Sequence, residues 1–159
     1  MHTHPFGRAS LLALLVLLCV GSVRPDDLAA QQRDTSSATT LYSRLGGYDF
    51  LANFVDTAFP RVASNPQLAR LFRGHSKDSQ MRQRQLIIDA LCHDTGGPCI
   101  YIGRNLTTVH EGLAITDQDW RTFMTVVTMT LQEFALSTEV RQDFIHLFEN
   151  RLRSTVVIR

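Results

Sequence analysis

The sequence carries almost no net charge. Its 159 residues contain 16 Lys and Arg against 15 Asp and Glu, which leaves +1 at pH 7 with neutral histidines. Without an excess of basic residues, the chain lacks the positive surface typical of a nucleic-acid-binding protein. Without an excess of acidic residues, it does not attract a cationic partner. There is no internal repeat, and no stretch alternates between apolar and polar residues for long. These absences argue against a repeat protein and against a β-sheet.

A hydrophobic run long enough to cross a membrane as a mature helix is also missing. The apolar run Leu11–Val20 has ten residues and follows Arg8, which is typical of the central segment of a secretory signal. We therefore expect residues 1–30 to be a signal peptide, with cleavage after Ala30 favoured over cleavage after Gly21-Ser22. An uncleaved membrane anchor is the alternative. In both cases the rest of the chain is exported, and we expect it in the periplasm.

Cysteine is scarce, with three residues in the whole chain. Cys19 would leave with the signal peptide, so Cys92 and Cys99 are the only pair in the exported part. They flank a Gly-Gly-Pro turn, and an oxidising compartment permits a disulfide there. Two separate small apolar side chains are the alternative. With two cysteines and no histidine at finger spacing, the sequence argues against a zinc site.

The remaining sequence predicts one all-α domain. A hydrophobic content of 44% with nine Phe is enough for a packed core. Residues 31–40 are polar and rich in Ser and Thr, which is typical of a flexible tether. After the tether, apolar residues recur at helical spacing through the segment 41–159. The spacing predicts four long helices, at 48–63, 76–93, 116–134 and from Ser137 or Thr138 through Leu152, with short helices near 65–72 and 106–110.

The connection between Cys92 and Thr116 is too long for a plain bundle loop. Thr116 with Asp119 predicts the start of the next helix, as an N-cap signature. It contains one short apolar segment that ends at His110. A single imidazole in this position is either an axial ligand to a metal or haem, or an ordinary partly buried residue. A large flat cofactor would fill the space beneath such a loop.

Five segments in register resemble one known family. They are LYSRLGGYDFL, NPQLARLF, ALCHDTGGPCIYIGRNL, VHEGLAITDQDW and the closing amphipathic helix. In this order and at these spacings, from about Leu41 to Val157, they closely resemble the group I truncated haemoglobins. The resemblance implies a two-over-two helical sandwich around a b-type haem. It places His110 on the proximal iron ligand, and Phe72 on the phenylalanine that packs flat against the porphyrin.

On the distal side the sequence departs from that family. Many members carry a tyrosine late in the second helix whose hydroxyl bonds the bound gas, and the matching residue here is Phe59. When the sequence is aligned to the family without gaps back from Gly96-Gly97, Gln83 and Ile87 fall in the distal pocket. Aligning on Arg84-Gln85 instead places Met81 and Gln85 there. We favour the first register, because Ile87 then begins an apolar face that continues through Ala90 and Leu91.

Further contacts to the cofactor stay open at this point. The haem propionates need cationic or hydroxyl partners, and the available residues are Tyr101, Arg82, Arg84, Arg104 and Thr107. His75 and His93 are the other histidines within possible reach of the iron, and we favour ordinary surface roles for both.

The resemblance implies reversible binding of O2 and of other diatomic gases such as NO and CO, as in oxygen transport. NO dioxygenation would follow if an as yet unidentified reductase supplied electrons. The chain itself contains no visible reductase, so enzymatic activity stays open. The alternative is a periplasmic haem protein for electron transfer or peroxide chemistry. We expect a monomer.

Overall fold

The computed structural model describes residues 39–156, and this part of the chain is all-α, with no β-strand. The predicted fold class is therefore confirmed. Six α-helices follow one another, of which four are long: α1 (Leu41–Leu45), α2 (Gly47–Ser64), α3 (Lys77–Asp94), α4 (Leu106–His110), α5 (Asp117–Leu131) and α6 (Thr138–Leu147). A 3₁₀ turn, Ala69–Phe72, lies between α2 and α3.

The central layer is α2, which packs against both α3 and α5. Its buried side chains recur at helical spacing, and they are Phe50, Leu51, Phe54, Val55, Ala58 and Val62. Such a stripe faces a core because removing apolar area from water is favourable, at about 25 cal/mol per Å². The short helix α1 contacts α2 and α6, and it ends at Gly46, whose φ of 101° requires the left-handed conformation that glycine adopts readily.

Aromatic rings fill the core between α2 and α6. The ring centroid of Phe144 lies 5.3 Å from that of Phe54 and 5.2 Å from that of Phe148, in edge-to-face geometry. Phe134 approaches Phe50 in the same way, at 5.2 Å. Edge-to-face pairs add about 0.5–1.5 kcal/mol each beyond the area they bury. This cluster therefore stabilises the helical frame without any contribution from the loop that contains His110.

Two helix ends differ from the sequence prediction. The helix predicted at 116–134 ends at Leu131, because the chain turns there with backbone hydrogen bonds from Glu133 to Thr130 and from Phe134 to Leu131. This turn directs Phe134 toward Phe50. After Leu147 the last helix continues as a π-helical turn, Phe148–Leu152, and a 3₁₀ turn, Arg153–Thr155.

The predicted signal peptide, its cleavage site and nearly all of the tether lie outside the described residues. Among the helices of residues 39–156, none is both long enough and apolar enough to cross a membrane.

Candidate functional site

His110 is the last residue of the short helix α4 and is partly buried. The side chain of Asn105 caps this helix by accepting a hydrogen bond from the Thr107 amide, at 2.8 Å. The imidazole Nδ1 of His110 donates to the carbonyl oxygen of Leu106, at 2.7 Å. The lone pair is therefore left on Nε2. Histidines that bind metals usually hold their second ring nitrogen in this way, which fixes the tautomer and the ring orientation.

The turn after His110 is conformationally strained. The amide of Leu113 donates to the His110 carbonyl, at 3.3 Å, and Ala114 has a φ of 49°. Left-handed backbone costs a non-glycine residue about 1–2 kcal/mol, so it persists only where other contacts enforce it. Arg70 supplies such contacts, because its guanidinium donates to the carbonyls of Leu113 and Ala114, at 3.2 and 3.4 Å.

A buried carboxylate anchors Arg70. Asp119 is 1% exposed and forms an ion pair with Arg70. It also accepts hydrogen bonds from the amide and hydroxyl of Thr116, both at 2.9 Å, and from Gln67 Nε2 at 2.8 Å. Burial alone would raise the pKa of Asp119. The hydrogen bonds from Thr116 and Gln67 and the charge of Arg70 outweigh it and lower that pKa below its usual value.

Phe59 and Phe72, the two phenylalanines that the resemblance placed at the haem, are neighbours. Phe59, on α2, and Phe72, in the 3₁₀ turn, meet edge to face with ring centroids 5.6 Å apart, and both are partly buried. The ring centroid of His75 lies 6.4 Å from that of Phe72, and this histidine is exposed. Phe59 has no hydrogen-bond donor, so this edge of the site is apolar.

Gln83 and Ile87 are four residues apart on one face of α3, and both are partly buried. The side-chain oxygen of Gln83 is buried and has no hydrogen-bond partner among the described residues. Such groups are rare in proteins and call for an explanation, for example a bound ligand. Because the side-chain amide of Gln83 can flip, this position can present either the oxygen acceptor or the NH₂ donor.

Met81 and Gln85, the residues of the other register, have different surroundings. The amide of Gln85 donates to the hydroxyl of Tyr48 and to Asp89, both at 2.9 Å, on an exposed surface. Met81 is 61% exposed and lines a cleft of about 490 Å³ between α2 and α3 together with Phe59. Gln83 does not line that cleft.

The loop before α4 is cross-linked at its start. Cys92 and Cys99 form a disulfide, with their Cα atoms 5.7 Å apart. Of the two alternatives for this pair, a disulfide or two separate side chains, the structure shows the disulfide. Gly97 lies beneath it, and a Cβ atom there would come within 2.7 Å of the Cys92 sulfur and 2.6 Å of the Tyr42 ring. Only glycine fits at such a distance.

Tyr101 lies further along this loop. Its hydroxyl donates to the carbonyl of Arg104, at 2.8 Å, and its ring covers Gly103. Burial and the nearby charge of Asp94 raise the pKa of Tyr101. The tyrosine is thus held neutral and shapes the loop that leads into α4.

Other polar residues named from the sequence lie elsewhere. Arg84 is paired with Asp56 on α2, and His93 is exposed and contacts Asp94 at 3.1 Å. Sequence reasoning identified Thr116 and Asp119 as a helix start, and the structure has both halves of that capping box. It missed Arg70 and Gln67, because these residues are about fifty positions from Asp119 and no local pattern links them.

Comparison with known proteins identifies the family of this chain. The family model of bacterial-like globins matches residues 40–157, which is most of the chain. The chain belongs to the bacterial-like globin family.

Relatives of this globin include truncated haemoglobins. A group 1 truncated hemoglobin of Tetrahymena pyriformis is 24% identical over 111 residues, covering 70% of this chain and 89% of the relative. The group 1 truncated hemoglobin GlbN of Mycolicibacterium paratuberculosis is 30% identical over 77 residues, covering 48% of this chain and 54% of the relative.

Solved structures share the fold. A crystal structure of a Tetrahymena pyriformis truncated hemoglobin mutant in the Fe(III) form superposes with a TM-score of 0.68 at 21% identity, covering 76% of this globin and 100% of the other chain. A Synechococcus 2/2 hemoglobin with covalently attached heme gives a TM-score of 0.66 at 22% identity, with 74% and 98% coverage. At these identities the likeness shows the two-over-two helical fold.

The residues of this globin fit the haem that its family implies. His110 offers Nε2 as a ligand with its tautomer set by Leu106. Gln83 has a buried amide oxygen that lacks a partner, and Phe59 and Phe72 supply apolar ring surface. An imidazole ligand, a polar group and an aromatic wall are the elements that a haem pocket requires.

Proposed function

We propose that this globin binds a b-type haem through Nε2 of His110 and uses it to bind diatomic gases reversibly. The hydrogen bond from Nδ1 to Leu106 is the observation that carries the proposal, because it prepares the second nitrogen for a metal. Ferrous haem supplies an open coordination site for O2, NO and CO. Phe72 and Phe59 would pack against the ring, and Tyr101 would shape the loop at its edge.

Gln83 is the residue we assign to the bound gas, with Ile87 one turn further along the same face. The support is the buried and unpaired amide oxygen of Gln83. In the other register the residue is Gln85, whose amide already donates hydrogen bonds to Tyr48 and Asp89. Bound O2 carries partial negative charge and is retained by hydrogen-bond donors. Gln83 would be such a donor, and Phe59 would not.

Replacement of His110 by alanine tests the ligand. We expect His110→Ala to abolish stable haem retention, because His110 is the one partly buried histidine among the described residues, and its Nδ1 is held by a backbone carbonyl. The measurement is the haem absorption spectrum of the ferric, ferrous and CO-treated protein after desalting. Thr108→Ala, an exposed position on the same short helix, is the matched control and should retain the spectrum. An unchanged spectrum in His110→Ala would place the ligand elsewhere.

Replacement of Phe59 by tyrosine tests the distal side. A hydrogen bond is worth about 0.5–1.5 kcal/mol, so a gained donor should slow O2 release by about 2- to 13-fold. Gln83→Leu should accelerate release by a similar factor, whereas Gln85→Leu should leave it unchanged. Stopped-flow O2 dissociation measures all three. An effect of Gln85→Leu without one of Gln83→Leu would support the Met81 and Gln85 register.

The same pocket would permit NO dioxygenation, in which retained O2 reacts with NO to give nitrate, if a reductase restored the ferrous state. Nitrate formation by the reduced, oxygenated protein on addition of NO tests this activity. We expect the protein to act as a monomer.

Export of this globin remains part of the proposal. It is supported by the apolar run Leu11–Val20 after Arg8 and by the Cys92–Cys99 disulfide, a bond that is common in exported proteins and rare in the cytosol. Fractionation of cells and N-terminal sequencing of the mature protein would test it. A cytosolic protein with an intact N-terminus would contradict it.

A further inference from the structure

Arg70 links the 3₁₀ turn that contains Phe72 to the turn that follows His110. It belongs to the 3₁₀ turn, which ends at Phe72. Its guanidinium donates to the carbonyls of Leu113 and Ala114, which lie three and four residues after His110, the last residue of α4. These residues are 43 and 44 positions away from Arg70 in sequence.

Arg70 is anchored by the buried carboxylate of Asp119. Asp119 is almost fully buried and binds Arg70, Gln67 and Thr116 at the same time. A carboxylate with four hydrogen-bond donors is held in one orientation, and one nitrogen of the Arg70 guanidinium donates to it. Arg70 therefore projects from a fixed point toward the turn after His110.

That turn depends on Arg70. Ala114 is in the left-handed region, from which an alanine relaxes unless its surroundings prevent it. The Leu113 amide donates to the carbonyl of His110, at 3.3 Å, so a relaxed turn would remove one hydrogen bond from the end of α4. The orientation of the His110 ring is in this way linked to the ion pair between Arg70 and Asp119.

We propose that Arg70, anchored by Asp119, is a positioning residue for the proximal ligand: it holds the turn at Leu113 and Ala114 so that His110 presents Nε2 to the haem iron. This inference rests on the proposed function, since it concerns the same imidazole. It adds that a residue outside the pocket controls how firmly the ligand binds.

Arg70→Met tests the proposal, because it keeps most of the side-chain stem and removes all five donors. Arg61→Met is the matched control. Arg61 also pairs with a carboxylate that is distant in sequence, at 2.6 Å from Glu133, but its hydrogen bonds go to Thr130 and Glu133 and not to the turn after His110. Each full-length variant, loaded with haemin, is assayed for haemin transfer to apomyoglobin. The iron–histidine stretching band of the ferrous form is recorded by resonance Raman spectroscopy.

We expect Arg70→Met to lose haemin about tenfold faster than wild type and to shift or broaden the iron–histidine band, as for residues that orient a ligand. Arg61→Met should change neither. Equal haemin loss in the two variants, or faster loss with an unchanged band, would overturn the proposal and leave Arg70 with a purely structural role.

A second variant decides the matter if Arg70→Met does not fold. Gln67→Ala removes one hydrogen bond to Asp119 and leaves the ion pair intact, so we expect about threefold faster haemin loss and a smaller shift of the band. No change in either property would refute the inference. Failure of the proposed function has a different signature, since wild type would then lack haem or His110→Ala would retain it.

Discussion

The aromatic core and the stretch that leads into and out of α4 differ in what holds them together. Leu51 and Phe144 are completely buried, and the rings around them interlock. Between Gly96 and Ala114 no residue is buried. Ile100 and Ile102 in this stretch are 80% and 83% exposed. The core is held by apolar contacts. Residues 96–114, which we call the proximal stretch, are held by polar contacts and a disulfide.

From this difference we predict that the helical frame folds without haem and that the proximal stretch needs haem to become ordered. The stretch is attached at its beginning by the disulfide between Cys92 and Cys99 and at its end by Arg70. Between these points it has few side chains that could form a core of their own. A haem bound to His110 would supply the apolar surface that this part of the chain lacks.

The largest effect that separates the two regions should come from Phe144→Ala. We expect a loss of about 3–5 kcal/mol in the free energy of unfolding, because the large ring would leave a cavity among Phe50, Phe54 and Phe148. Ile100→Ala, in the exposed loop, should change stability by less than about 0.5 kcal/mol. Urea unfolding of the haem-free protein measures both. A similar decrease in the free energy of unfolding in both variants would contradict the difference between the two regions.

A smaller effect should appear in the pH dependence of stability. The pKa of Asp119 is lowered in the folded state, so its contribution is fully present above the unfolded value of about 3.9 and is lost as the pH falls through the folded value. We expect Asp119→Asn to cost about 1–3 kcal/mol near pH 7 and to unfold with a weaker acid dependence than wild type.

Urea midpoints between pH 7 and pH 3 would measure this dependence. Asp117→Asn is the control, because Asp117 begins the same helix but its side chain is 56% exposed in a pair with Arg153. The Asp117 variant should parallel wild type. Parallel curves for Asp119→Asn and wild type would contradict the role assigned to the buried carboxylate.

Much of the fold could be predicted from local patterns. Helical spacing of apolar residues located the four long helices to within a few positions, since burial of one face decides where a helix forms. The end of α5 was missed by three residues, because the turn to Phe134 depends on packing against Phe50. Likewise, helical spacing alone does not distinguish the π-helical turn after Leu147 from an α-helix.

The candidate site was only partly predictable. The position of His110 followed from the resemblance to the group I truncated haemoglobins, and the capping residues of α5 followed from a short motif. The hydrogen bond from Nδ1 to Leu106, the unpaired oxygen of Gln83 and the contacts of Arg70 depend on three-dimensional placement. Residues that meet from separate parts of the chain leave no periodic signal in the sequence.

Hydrogen exchange, followed by mass spectrometry on haem-free and haem-loaded protein, tests most directly whether a haem held by His110 completes the proximal stretch. We predict that haem slows exchange mainly in residues 104–114 and along the Gln83 face of α3, with little change in α5 and α6. In His110→Ala the added haemin should give no such protection. Uniform protection of the whole chain, or the same local protection in His110→Ala, would contradict this central claim.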